Sequence, residues 1–268
     1  MGERGDFTRY SYWSERRVTS IAKDGGLDLN PRWRSKISLA IPFVSSNVEF
    51  ERESRALFRN EIADRIGRAV GDLAVEDFVT PPMVRFAKGI GRVEFSHFVG
   101  YESRRVVLGV YVVASDGTRV AVCLFGSRDN VSGFMGPEDP VAEGWSSSAA
   151  PSISKWLISR CAENKSQWDD PQSISVEAMK IAFNQGSTFE SRQSLDQPWM
   201  RGYTFGDVSD SEWFAEIYSD VVLDPNRWSL REPVDRILVG APVWVRTPRA
   251  AVRRYIDYRR DVNVRHYG

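Results

Sequence analysis

The sequence predicts an α+β fold in which helices pack against a central, mainly antiparallel sheet. Three β-prone runs follow one another at residues 92–99, 106–114 and 119–125. The second and third runs flank a Ser-Asp-Gly-Thr segment at residues 115–118, and Asp-Gly between β-branched runs indicates a tight hairpin. An amphipathic helix at residues 54–70 provides an apolar face that can cover such a sheet.

The three β-prone runs predict an antiparallel meander of residues 92–125. Local signals predict the elements that precede it. Residues 7–13 are aromatic and β-prone, and Ser14 is a suitable N-cap for a helix that ends before Gly25 and Gly26. Candidate strands follow at residues 36–41 and 47–53. In the next helix the apolar side chains recur at every fourth position, at Phe58, Ile62, Ile66 and Val70.

The elements after the meander are predicted in the same way. Residues 136–150 are rich in Gly, Pro and Ser and are the best candidate for a loop. We expect a single domain over residues 1–268, with a subdivision near this loop as the alternative. The run at residues 236–246 predicts a buried strand. Helices are predicted at residues 151–163, 173–183, 209–222 and 248–260, and a loop at 188–198.

Composition excludes several classes of protein. Hydrophobic residues make up 42% of the 268 residues, which is enough for a packed core. Lys plus Arg and Asp plus Glu both total 36, so no overall charge draws the chain to nucleic acid or to a membrane. No apolar run approaches the roughly 20 residues that span a bilayer, and the charged N-terminus does not read as a signal peptide. We expect a cytoplasmic protein without membrane contact.

Three motifs resemble an actinobacterial family of uncharacterised proteins. The family begins with Tyr-x-Tyr-x-Ser-x-x-Lys/Arg-Val, matched by YSYWSERRV at residues 10–18. A mid-chain strand ends in an apolar run plus Gly-Ser, as at residues 124–127, and a late strand reads like LVGAPVWV at residues 238–245, with Ala241 in place of the usual Ser. The resemblance implies a bacterial cytosolic protein with a regulatory or defence-associated role. The family has no established active site, so no catalytic residue is carried over.

Histidine and cysteine are too scarce for most nucleophile or metal sites. His97 and His266 are the only histidines, and Cys123 and Cys161 the only cysteines. A Cys123–His97 pair would require paired strands and an exposed, acidified thiol. The alternative is that Cys123 packs in the core, and we expect no metal site and no cofactor.

A row of carboxylates is the main catalytic candidate. Glu212, Glu216 and Asp220 are spaced by four residues, which on a helix would place them on one face. Such a row could hold a divalent metal or serve acid–base chemistry in a hydrolase or transferase. Like charges at this spacing are mildly destabilising, so a cation or an arginine partner would relieve them. The alternative is a solvated polar helix face.

Two basic features are candidate binding sites. Gly126, Ser127 and Arg128 follow the end of a predicted strand, where backbone N–H groups and the arginine could hold a phosphate. Residues 246–268 carry seven Arg and two Asp, a net charge of +5 by subtraction. Within them, Arg249, Arg253 and Arg254 are the candidates for nucleic-acid contact. An ordinary surface helix with solvated arginines is the preferred explanation.

The sequence therefore leaves several functions open. The first is a non-enzymatic regulatory protein that binds a small anionic, nucleotide-like ligand, a protein partner or a second copy of itself. The second is the carboxylate-dependent hydrolase or transferase, and the third is nucleic-acid binding through the C-terminal arginines.

Overall fold

The computed structural model describes residues 8–27, 48–75, 85–99, 105–132, 157, 170–183, 201–230 and 232–248. Three helices and seven strands are defined within them. The helices are α1 (Glu15–Asp24), α2 (Val48–Val70) and α3 (Pro171–Ala182). The strands are β1 (Tyr10–Trp13), β2 (Ala74–Val75), β3 (Phe86–Val99), β4 (Arg105–Val113), β5 (Arg119–Ser127), β6 (Arg201–Val222) and β7 (Arg236–Arg246).

Five of these strands close into a barrel. The order around the barrel is β3, β4, β5, β7 and β6, and β6 pairs again with β3. The expected antiparallel meander is confirmed for β3, β4 and β5. The sheet is nevertheless mixed, because β5 pairs with β7 in parallel and β2 pairs with β3 in parallel. The α+β prediction is correct, but the predicted sheet, which was expected to be mainly antiparallel, is closed into a barrel and includes two parallel pairings.

The predicted hairpin between β4 and β5 is confirmed. Gly117 adopts a φ of 88°, a backbone conformation that glycine adopts without strain. Its N–H donates to the carbonyl of Ala114 at 3.0 Å, and the Asp116 carboxylate accepts from the Thr118 N–H at 2.8 Å. Arg119, the first residue of β5, forms a salt bridge with Asp235 at 2.6 Å, which ties the hairpin to the start of β7.

The barrel interior is filled by alternate residues of the strands. Phe95, Leu108, Leu124 and Trp213 are among the fully buried side chains of this cluster. A small barrel leaves room only for side chains. Its interior is therefore a core and not a binding cavity.

Two patches on the outside of the barrel are covered by helices. α3 lies over β4, β5, β6 and β7, where Met179 packs in one cluster with Cys123 and Val239. α1 and α2 cover β1, β3, β6 and β7 and complete a third cluster. Its buried members are Tyr10, Trp13, Val18, Ile21, Ile62, Ala63, Ile66, Val70, Phe86, Phe214, Val243 and Trp244.

Two predicted elements were wrong. Residues 209–222 belong to β6 and not to a helix, and residues 48–53 belong to α2 and not to a strand. In β6 the paired apolar residues Trp213–Phe214 and Ile217–Tyr218 imitate a helical face. Three successive residues of this strand, Trp213, Phe214 and Ala215, are buried, so both faces are covered there, and two register shifts interrupt its alternation. Bulges of this kind re-aim side chains and hide the period-two pattern.

Several expectations fall on residues that the structure does not describe. They are the strand at 36–41, the loops at 136–150 and 188–198, most of the helix at 151–163 and nearly all of that at 248–260. Leu157, in the predicted helix at 151–163, is described and is helical and buried. None of the described helices is long and apolar enough to cross a membrane.

The close approach of β6 to β7 at Gly240 gives a test of this packing. A Cβ atom at Gly240 would overlap the backbone carbonyl of Glu216, whereas a Cβ at Gly91 would lie 3.9 Å from its nearest neighbour, Val110. We expect Gly240→Ala to lower the free energy of unfolding by about 1–3 kcal/mol, because overpacking against backbone cannot relax easily. Gly91→Ala should change it by about 0.5 kcal/mol or less. Urea unfolding of both variants measures the difference, and equal stability would contradict the register described here.

Candidate functional site

The three candidate carboxylates are all paired with arginines. Glu212 lies 2.7 Å from Arg246 and Glu216 lies 2.6 Å from Arg17. Asp220 accepts two hydrogen bonds from Arg236, and both side chains are more than nine-tenths buried. The predicted arginine partners are thus present, although the residues lie on a strand.

These carboxylates do not form one acidic site. Each is held by a different arginine, from β7 for Glu212 and Asp220 and from α1 for Glu216. Within the described residues, no three potential metal ligands come together. Glu216 and Asp220 therefore stabilise the packing around β6, and Glu212 alone of the three lines the pocket described below.

The turn after β5 has the predicted shape, but its polar groups are already bonded. Ser127 caps a short 3-10 helix, Arg128–Asn130, by accepting from the Asp129 N–H at 3.3 Å. The Ser127 N–H donates to the Tyr12 hydroxyl at 3.3 Å, and the Asn130 amide donates to the same oxygen at 3.1 Å. Tyr12 also lies against Gly126, where a Cβ atom would overlap its hydroxyl. Phosphate binding at Gly126, Ser127 and Arg128 stays a prediction.

The Cys123–His97 pair is not supported by the strand register. Cys123 pairs with Gly109, which pairs with Glu94, whereas His97 pairs with Val106. The two positions are therefore three residues apart along the strands, with β4 between them. Cys123 is fully buried, and burial raises the pKa of its thiol far above the ordinary value. The prediction that Cys123 packs in the core is confirmed.

The remaining sequence candidates lie outside the described residues. They are Cys161, Arg249, Arg253, Arg254 and His266.

A pocket of about 550 Å³ lies between α2 and the outer surface of β3, β6 and β7. Its volume is in the range of small-molecule sites, about 300–1,000 Å³. Asp64, Gly67 and Arg68 line it from one face of α2, because residues three and four apart on a helix are neighbours. The barrel contributes Lys88, Glu212, Trp213, Phe214, Trp244 and Arg246.

Cross-strand pairing builds the floor of this pocket. Lys88 pairs with Phe214, which pairs with Trp244, and Trp244 pairs with Trp13 of β1. The rings of Phe214 and Trp244 stack with centroids 4.4 Å apart, and Trp13 and Phe86 extend the stack on either side. The neighbouring row places Glu212 opposite Arg246 and Arg246 opposite Tyr10.

Arg246 is the centre of a polar cluster in this second row. Its side chain is 6% exposed, and it contacts Glu212 at 2.7 Å, Asp64 at 3.8 Å and the Tyr10 hydroxyl at 3.2 Å. Burial alone would lower the pKa of Arg246, but the hydrogen bond and charge of Glu212 raise it above the ordinary value. The Tyr10 hydroxyl in turn donates to Asn60 at 2.8 Å. Arg246 and Tyr10 therefore join α2 to the barrel at one end of the pocket.

Two further cations belong to the pocket. Arg68 is exposed on α2 and Lys88 is half-buried on β3, so one cation lines the pocket from the helix and the other from the barrel. The sequence did not indicate this arrangement. Arg68 occurs as one of several charged residues off the apolar stripe of its helix, and the pairing of Glu212 with Arg246 could not be found while β6 was predicted to be a helix.

The role assigned to Asp220 can be tested by stability. We expect Asp220→Asn to lower the free energy of unfolding by about 3–5 kcal/mol, because it removes the buried carboxylate charge that pairs with Arg236. The matched control is Asp207→Asn, since Asp207 pairs with Arg92 at 2.8 Å on the surface. Its loss should cost at most about 1 kcal/mol. Urea unfolding measures both values, and a small effect of Asp220→Asn would reopen a functional role for that residue.

No family model matches the chain, and neither does any curated protein or solved structure. The function proposed below therefore rests on the geometry of the pocket and the chemistry of its lining.

Proposed function

We propose that the protein binds a small anionic ligand of the nucleotide class in the pocket between α2 and the barrel, and that it acts as a binding or regulatory protein. The observation that carries the proposal is that Arg68 of α2 and Lys88 of β3 line one pocket together with the aromatic residues Phe214 and Trp244. Cations beside aromatic and apolar side chains suit a ligand that has both a phosphate and a planar ring.

The size and shape of the pocket support this class of ligand. About 550 Å³ is more space than an isolated phosphate needs and is within the range that holds a mononucleotide-sized molecule. Gly67 lies in the α2 wall, and a Cβ atom there would meet open space. The absence of a side chain at this position keeps the pocket wide.

The carboxylate-dependent hydrolase or transferase has less support than a binding role. Glu216 and Asp220 are held in separate ion pairs with Arg17 and Arg236. Glu212 lines the pocket, but it is paired with Arg246. The ion pair with Arg246 fixes the Glu212 carboxylate as part of the pocket lining. Its position favours recognition over proton transfer.

Nucleic-acid binding is the third alternative. The order of the barrel strands is that of the OB fold, in which oligonucleotides bind across the second and third strands. The corresponding strands here are β4 and β5, and α3 covers their outer face at Val107, Cys123 and Phe125. This surface is already occupied, so the pocket is the better supported site.

The cationic walls give a direct test. Isothermal titration calorimetry with AMP, CMP, GMP, UMP and inorganic phosphate should detect binding of at least one nucleotide. We expect the double variant Arg68→Gln, Lys88→Gln to weaken that binding at least tenfold, since charge-assisted hydrogen bonds contribute about 1.5–3 kcal/mol each. The control is Arg16→Gln, Lys180→Gln, which removes the same charges from exposed positions outside the pocket. Equal affinity of the two double variants would contradict the proposal.

A second variant separates binding from stability. Gly67→Leu places a side chain in the pocket wall without a clash, and it replaces glycine in a helix by a residue of higher helix propensity. We expect the variant to bind the nucleotide at least tenfold more weakly while its melting temperature is unchanged or higher. Thermal unfolding with and without nucleotide measures both effects. Unaltered nucleotide binding by Gly67→Leu would place the ligand elsewhere.

A further inference from the structure

We infer that the ligand is a nucleotide whose base carries an exocyclic amino group, and that Glu212 accepts a hydrogen bond from this group. The inference rests on the proposed function, because it concerns the orientation of the ligand in the same pocket.

The charges in the pocket are distributed unevenly. Beside the stacked rings, the carboxylates of Glu212 and Asp64 both lie near Arg246, at 2.7 Å and 3.8 Å. Arg68 and Lys88 place two positive charges on the walls. A ligand that is anionic along its whole length would be repelled by the carboxylates. A ligand with a phosphate at one end and a hydrogen-bond donor at the other matches both parts.

Glu212 has the geometry of an acceptor for this donor. Its Oε1 atom accepts from Arg246 Nη2 at 2.7 Å, which orients the carboxylate. In the part of the chain that the structure describes, Oε2 has no hydrogen bond, and a quarter of the Glu212 side chain is exposed. An ionised carboxylate only accepts hydrogen bonds. It therefore favours the amino groups of adenine, cytosine and guanine, and it disfavours the carbonyl group that deamination puts in the same place.

The same strand provides a matched control residue. Glu216 is also a glutamate of β6 paired with an arginine, and its side chain is similarly exposed, at 27% against 25%. It does not line the pocket. Glu216→Gln therefore reproduces the structural cost of losing an arginine-paired carboxylate without altering the pocket.

The experiment compares each amino nucleotide with its deaminated counterpart, AMP with IMP and CMP with UMP, by calorimetry. We expect wild-type protein to bind at least one amino nucleotide about tenfold more tightly than its counterpart, the effect of one charge-assisted hydrogen bond. Glu212→Gln should remove or invert this preference, since its amide can donate to a carbonyl, whereas Glu216→Gln should keep it. Equal binding within both pairs, or a preference unchanged by Glu212→Gln, would overturn the inference. The wild-type comparison needs no variant, so it holds even if Glu212→Gln fails to fold.

The outcomes separate this inference from the proposed function. If neither nucleotides nor phosphate bind, or if the Arg68 and Lys88 double variant binds as its control does, the proposed function fails and the inference with it. If nucleotides bind through the cationic walls without discrimination between AMP and IMP or CMP and UMP, only the inference fails.

Discussion

The pairing of two arginines of β7 with two carboxylates of β6 is the constraint on which the rest of the barrel depends. Arg236 and Arg246 stand at opposite ends of β7, which is buried along its whole length. On β6, Asp220 forms an ion pair with Arg236 and Glu212 forms one with Arg246. A slip of one residue between these strands would leave buried charges without partners, at a cost far above that of a displaced apolar contact. The ion pairs therefore fix a register that two bulges in β6 would otherwise leave ambiguous.

The same interaction connects the fold to the pocket. Arg246 holds Glu212 at the floor and contacts Asp64 on the opposite wall. Its neighbour Tyr10 reaches Asn60 on the same helix. Glu212 and Arg246 thus both determine the strand register and line the pocket. A ligand that contacts Glu212 also contacts an element on which the position of α2 depends.

Local signals in the sequence were sufficient for part of this structure and insufficient for the site. The hairpin at Gly117, the start of α1 after Ser14 and the periodicity of Ile62 and Ile66 are encoded within a few residues, so these elements could be predicted. The Ser14 side chain itself makes no capping hydrogen bond. The pairing of β5 with β7 depends on contacts between residues far apart in the chain, and no local pattern reports it. The pocket could not be predicted either, because it requires Glu212 on a strand beside Arg246. Glu212 was selected as a candidate, but for a helical row that does not form.

The parallel pairing of β5 with β7 also has a consequence for biosynthesis. β5 is complete at Ser127, whereas its neighbour begins at Arg236, after α3 and β6 have been made. While the chain is being synthesised, the free edge of β5 therefore has no β7 to pair with, and the edge includes the apolar residues Val120, Val122 and Leu124. Unpaired apolar edges invite association with other chains, and contacts of long sequence separation form slowly. The barrel can close only when β7 has left the ribosome, so the interval before closure is the stage at which this protein is most exposed to misassembly.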